Sequence, residues 1–189
     1  QPQNGWAEQA PEDWWDAARN TIRSVIEQSG VDAADIKGLG ISGQMHGLVL
    51  LDADGNVLRE AILWCDGRTQ DECDEITNTI GRDRLIQITA NPALTGFTAG
   101  KILWVRKNEP DVYAKAAHIL LPKDYVRYKL TGEYGCEMSD ASGTNLLDVP
   151  NRCWSKEILD ALNIDDNLMP RLTESSDVAG YITSEAAQM

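Results

Sequence analysis

Apolar positions change period along this chain, and the changes mark out its elements. After Pro11-Glu12-Asp13, the residues Trp15, Ala18, Ile22, Val25 and Ile26 recur at helical spacing. Proline in a first turn and acids at the positive end of the dipole predict where this helix starts, and Gly30 predicts its stop. Strand-like runs follow at 36–42, 48–52 and 61–64. Asp54-Gly55-Asn56 is a turn signal, so the second and third runs are expected to form a hairpin. The first two runs are strongly apolar, as in a sheet buried on both faces.

From Thr69 onward the pattern predicts helices at about 69–80, 83–88, 99–108, 111–117 and 123–130, punctuated by Pro110 and Pro122. Ile119-Leu120-Leu121 reads as one short buried strand and 144–149 as another. Ser155 is placed to cap a helix running to Leu162. The fold class is therefore α/β. Three or four strands are few for a doubly buried sheet, and the last residues supply no closing element, so the pattern has the look of an excerpt from a larger fold.

The length of 189 residues suits one domain with a sizeable core. A net charge of −13 weighs against nucleic acid or an anionic membrane as partner. Neither an apolar run near eighteen residues nor a basic-then-apolar leader is visible, so no membrane span or signal peptide is expected. Cys65, Cys73, Cys136 and Cys153 lack metal-ligand spacing, and only His46 and His118 could join them. Free thiols in a reducing cytoplasm are the simplest reading.

Candidate chemistry concentrates in Gly43-Gln44-Met45-His46-Gly47 and Trp64-Cys65-Asp66-Gly67-Arg68, each at the end of an apolar run. The glycines allow unusual backbone angles or close approach. His46 can act as a ligand-contacting donor, a general base or a satisfied core histidine, while Met45 is more often packing. Trp64 can stack on the apolar face of a sugar whose hydroxyls Asp66 accepts; the bland alternatives are a core indole and a helix cap by Asp66 or Thr69. The stretch 91–101 either covers a pocket or only connects two helices. Ser139-Asp140-Ala141-Ser142-Gly143-Thr144 resembles a catalytic loop, but side chains that hold their own backbone are the preferred reading. No Walker-type loop or GxGxxG is present. These residues alone support a pocket for a small neutral polar molecule.

Taken together, the segments resemble the FGGY family of carbohydrate kinases. The carrying pieces are Trp6-Ala7-Glu8-Gln9, Trp14-Trp15, Gly40 to Gly47, Ala61 to Arg68, Gly96 to Ala99 with Lys101, Leu120 to Tyr125, Thr131-Gly132-Glu133 and Met138 to Thr144. Thr95 and Gly100 depart from the family, which often has proline at both, and a looser loop is expected there. The resemblance implies part of an actin-like, ribonuclease-H-like ATPase domain with inserted helices. Residues 1–189 would be the N-terminal domain without its first strands, with the C-terminal nucleotide-binding domain absent. It implies transfer of the ATP γ-phosphoryl group to D-xylulose, giving D-xylulose 5-phosphate, with ATP and Mg²⁺ serving the full-length parent and none bound to this chain. Met45, His46 and Trp64 match sugar-contacting positions, and Asp66 follows them. The family's phosphate loop would lie upstream and its catalytic aspartate downstream, so no catalytic residue is assigned here and the isolated chain is expected to be inactive. A kinase for ribulose, gluconate or glycerol, and a non-catalytic sugar-binding module, stay open as alternatives. An exposed sheet edge would allow a homodimer.

Overall fold

The computed structural model describes residues 2–189. Its central strand is short and entirely buried, because hydrophobic layers cover both of its faces. In chain order, β1 (Glu8–Gln9) precedes the long helix α1 (Pro11–Ser29), then come β2 (Val49–Leu51) and β3 (Ala61–Ile62). Four helices follow: α2 (Gln70–Ile80), α3 (Arg82–Thr89), α4 (Thr98–Asn108) and α5 (Pro110–Tyr113). Next are β4 (His118–Leu120), α6 (Pro122–Thr131), β5 (Gly135–Glu137) and α7 (Met138–Ala141). The chain ends with β6 (Leu147–Asp148), β7 (Cys153–Trp154), α8 (Lys156–Ala161), β8 (Arg171–Thr173) and α9 (Ser184–Gln188). This is the α/β class read from the sequence.

β2 pairs antiparallel with β4, placing Val49 opposite Leu120, and β1 pairs antiparallel with β3. A bridge from Leu48 to Ile62 joins the two pairs. Successive side chains of a strand point to opposite faces. Leu48 and Leu50 accordingly enter a core with Ile76, Leu85, Ile102 and Ile158 from α2, α3, α4 and α8. Val49 and Leu51 enter a second core with Trp15 and Tyr125 from α1 and α6. The expected double burial therefore holds for this run.

The hairpin between residues 48 and 62 is present as well. Asp52 N donates to Asn56 O at 3.0 Å and Leu58 N to Leu50 O at 3.0 Å, around Gly55 at φ 81°. Proline at the start of α1, a left-handed Gly30 at its end, and the Ser155 cap on Ile158 N also match the sequence reading.

Three expectations need correction. Residues 36–42 form no strand and are exposed apart from half-buried Ile41; Ile36 and Leu39 are 47% and 54% exposed. A strand needs a neighbour for its amides and carbonyls, and among the described residues none pairs with this run. It lines instead an open groove of about 750 Å³ with Lys123, Arg127, Val178 and Tyr181. The helix expected at 111–117 stops at Tyr113, because Ala117 N already donates to Leu51 O at 2.8 Å and draws the chain into the β4 ladder. The run 144–149 is strand only at Leu147–Asp148, after a 3-10 turn and a left-handed Asn145.

Ile102 is fully buried in the first core and Val25 is exposed. Ile102→Ala is expected to destabilise the chain by about 2–5 kcal/mol through lost burial and an unfilled cavity. Val25→Ala should change stability by no more than about 0.5 kcal/mol. Urea unfolding of the two variants measures both.

Candidate functional site

The two glycines around Met45-His46 exist for close approach. A Cβ on Gly43 would press on Lys123 Cβ at 3.0 Å, and one on Gly47 would overlap the Pro122 ring. Both contacts are with the first turn of α6, so the segment lies flat against that helix end. Between the glycines, His46 itself takes the left-handed conformation, at φ 64°. For a residue with a side chain this costs roughly 1–2 kcal/mol, so the surroundings must hold it.

They do so through the His46 carbonyl. Thr98 Oγ1 donates to it at 3.1 Å and Lys101 Nζ at 2.9 Å, both from the first turns of α4. Lys101 Nζ also donates to Gly96 O at 2.6 Å. This lysine is 0% exposed, and no carboxylate lies within ion-pairing distance of it among the described residues. Burial pushes it down to about 7, against the opposing charges of Asp66 and Cys65. Phe97 meets the imidazole edge-on, with ring centroids 4.7 Å apart.

The imidazole is further boxed in by the 3-10 turn after α7. A methyl on Gly143 would overlap the His46 ring, so only glycine fits there. His46 Nδ1 is buried against Gly143, which leaves Nε2 as the more open nitrogen. Burial is the main cause holding His46 below its ordinary range; Lys101 adds to this and Asp140 opposes it. The ring is thus neutral near pH 7, with one nitrogen able to donate and the other to accept.

The stretch 138–144 therefore packs against His46 while also bonding itself. Thr144 Oγ1 donates to Ala141 O and Ser142 Oγ to Ser139 O, the self-bonding expected from the sequence. Asp140 lies 2.8 Å from Lys123 Nζ, which also pairs with the buried Asp124 at 3.0 Å.

Met45 and Trp64 are 38% and 46% exposed. The Gly96 turn joins their segments: its Cβ position is 3.1 Å from Trp64 O, and its own carbonyl takes the Lys101 ammonium. Asp66 lies behind this face. Its Oδ2 accepts Ala7 N at 2.6 Å and Arg68 Nη2 at 2.7 Å, and its Oδ1 accepts Arg68 N and Nε, both at 2.9 Å. The guanidinium of Arg68 is stacked 3.7 Å from the Trp6 ring and also reaches Glu8. Both Asp66 oxygens are occupied, so its geometry is that of a residue holding the loop beneath Trp64. Thr69, the other candidate cap of α2, turns its hydroxyl to Thr95 O instead.

Lys101 entered the sequence reading only as part of the family resemblance, with no role assigned, although a signal was there. It is the one charge in an otherwise apolar run, Ala99 to Val105. Gly100 was expected to loosen a loop, but it sits inside α4 and lets that helix approach Thr69, with its Cβ position 3.2 Å from the hydroxyl.

Glu137 caps α7 and so supports the wall beside His46. Partial burial opposes its ionisation, yet bonds from the Ser175 hydroxyl and from Ser139 and Asp140 hold it down at about 2. A depressed carboxylate contributes stability that is complete above its ordinary range and lost as pH falls toward 2. Glu137→Gln should therefore be less stable than the parent at pH 7, and the gap should shrink between about pH 4.5 and 2. Thermal unfolding across that range checks it.

Among the described residues there is no group of three or more His, Cys, Asp or Glu suited to a metal, and no helix long and apolar enough to cross a membrane. All four cysteines are free. Comparison with known proteins gives a consistent result. The model of the FGGY family of carbohydrate kinases, N-terminal domain, matches residues 1–189. The xylulose kinase of Bacillus subtilis is 46% identical over 187 residues, covering 99% of this chain and 37% of that protein. The xylulose kinase of Escherichia coli is 44% identical over 183 residues, covering 97% and 37%. A solved structure of a xyloylose kinase from Brucella ovis superposes with a TM-score of 0.92 at 43% identity, covering 98% of this chain and 38% of that one. The chain spans a little over a third of the length of these relatives, and its partial actin-like, ribonuclease-H-like ATPase fold is theirs. It belongs to the FGGY family of carbohydrate kinases, in the part matched by the N-terminal domain.

Proposed function

We propose that this domain is the sugar-orienting part of an ATP-dependent kinase that converts D-xylulose to D-xylulose 5-phosphate. The observation that carries the proposal is the left-handed Met45-His46 turn, fixed from below by α4, with a neutral imidazole beside an exposed thioether. A neutral ketose is recognised by hydrogen bonds and an apolar face. His46 Nε2 supplies the polar contact, Met45 the adaptable apolar one, and Trp64 a surface on which a carbon face can lie. The relatives named xylulose kinase, at 44% and 46% identity, support that choice over ribulose, gluconate or glycerol.

Among the described residues no group of three or more His, Cys, Asp or Glu is suited to a metal, and the sequence carries no glycine-rich phosphate loop. We assign the binding of Mg²⁺ and ATP to parts of the full-length polypeptide beyond these residues. What this chain does is bind the ketose, orient its terminal hydroxyl, and present a rigid wall against which the cleft closes. The free thiols are compatible with a cytoplasmic enzyme.

Two measurements test the reading. In a substrate panel, the full-length polypeptide should give its highest kcat/KM on D-xylulose; a higher value on D-ribulose, gluconate or glycerol would overturn the substrate. The variant His46→Ala should raise the KM for D-xylulose by about tenfold, the worth of one good hydrogen bond, with the KM for ATP little changed. Separately, the 189-residue chain should release no ADP from ATP and D-xylulose, and sustained release would place the phosphoryl-transfer machinery inside it.

A further inference from the structure

We infer that Lys101 is a positioning residue for sugar recognition: from beneath the site, its buried ammonium clamps the Met45-His46 turn through the carbonyls of His46 and Gly96. The inference rests on the proposed sugar site and adds a residue that touches no substrate.

The geometry singles out this lysine. It is buried completely, yet both of its hydrogen bonds go to backbone carbonyls and none to a carboxylate. It also stands near the N-terminal end of α4, where the helix dipole disfavours a cation. A buried charge placed against the dipole is a costly way to join a turn to a helix, and Thr98 already supplies an uncharged donor to the same carbonyl. The ammonium adds what a hydroxyl does not. It ties two carbonyls, at 46 and 96, from one point, and so fixes the turn bearing Met45 and His46 relative to the turn that touches Trp64 O. Its charge also opposes protonation of the imidazole, on which Asp140 acts in the opposite sense. Asp66, Cys65, Arg68 and Cys73 are the charged and titratable groups that bear on the lysine itself.

The test uses the full-length polypeptide carrying Lys101→Met, Thr98→Val or His46→Ala, each checked for folding by thermal unfolding. Lys101→Met is expected to raise the KM for D-xylulose about tenfold or more, as loss of a charged hydrogen bond would, while the KM for ATP stays within about twofold. Thr98→Val should shift the sugar KM in the same direction by about threefold, as a weaker neutral bond would. In Lys101→Met the His46 ring should also titrate at a higher pH by NMR, because a nearby positive charge is gone. A folded Lys101→Met enzyme with an unchanged sugar KM overturns the inference, whatever its His46 titration. If Lys101→Met does not fold, Thr98→Val decides, and an unchanged sugar KM there overturns it as well. The reading of the site fails separately: in that case His46→Ala leaves the sugar KM unaltered.

Discussion

A backbone carbonyl turned inward at His46 sets the terms for the whole site. The left-handed residue aims its oxygen at the start of α4, and a buried polar group without a partner is expensive. Lys101 and Thr98 meet it, and in doing so lock three segments together: the run into β2, the turn at Gly96, and α4. The other close contacts of the region follow from that joint. Gly43 lies tightly against Lys123, while Gly47 against Pro122 of α6 and Gly143 against the imidazole leave no room for a side chain.

Behind this joint a second polar assembly fixes the loop that carries Trp64. Arg68 lies between the Trp6 ring and the carboxylates of Asp66 and Glu8, and also over Trp104 of α4. The buried pair is fully hydrogen-bonded, as such pairs must be to avoid net destabilisation. The outcome is a rigid wall with a small number of exposed side chains. That arrangement suits orientation of a neutral polyol and is consistent with a domain that leaves phosphate chemistry to another part of its polypeptide.

Much of this architecture was legible from periodicity and turn chemistry. Residues 48–51 alternate between two cores as their unbroken apolar run implied, and the signals at Pro11, Gly30, Asp54-Gly55-Asn56 and Ser155 act where local rules place them. The run 36–42 misled because its apolar residues suit a strand, while strand formation depends on a partner that local pattern cannot specify. Candidate site residues divide the same way. Met45 and His46 announced themselves by type and by flanking glycines. The left-handed angle fell on His46 instead of a glycine, and only tertiary contacts reveal that. Asp66 had the chemistry of a sugar ligand, but its two oxygens are committed to Ala7 and Arg68, far apart from each other in sequence. Lys101 belonged to a helix whose burial on all sides was not evident from its pattern.

The most direct test of the account is a crystal structure of the full-length polypeptide with D-xylulose bound. The expected result places the ketose against Met45 and Trp64, with a hydroxyl in hydrogen-bond reach of His46 Nε2, about 2.7–3.2 Å. Asp66 should still bridge Ala7 and Arg68. A sugar bound in the cleft with no atom within about 4.5 Å of Met45 or His46 would contradict it.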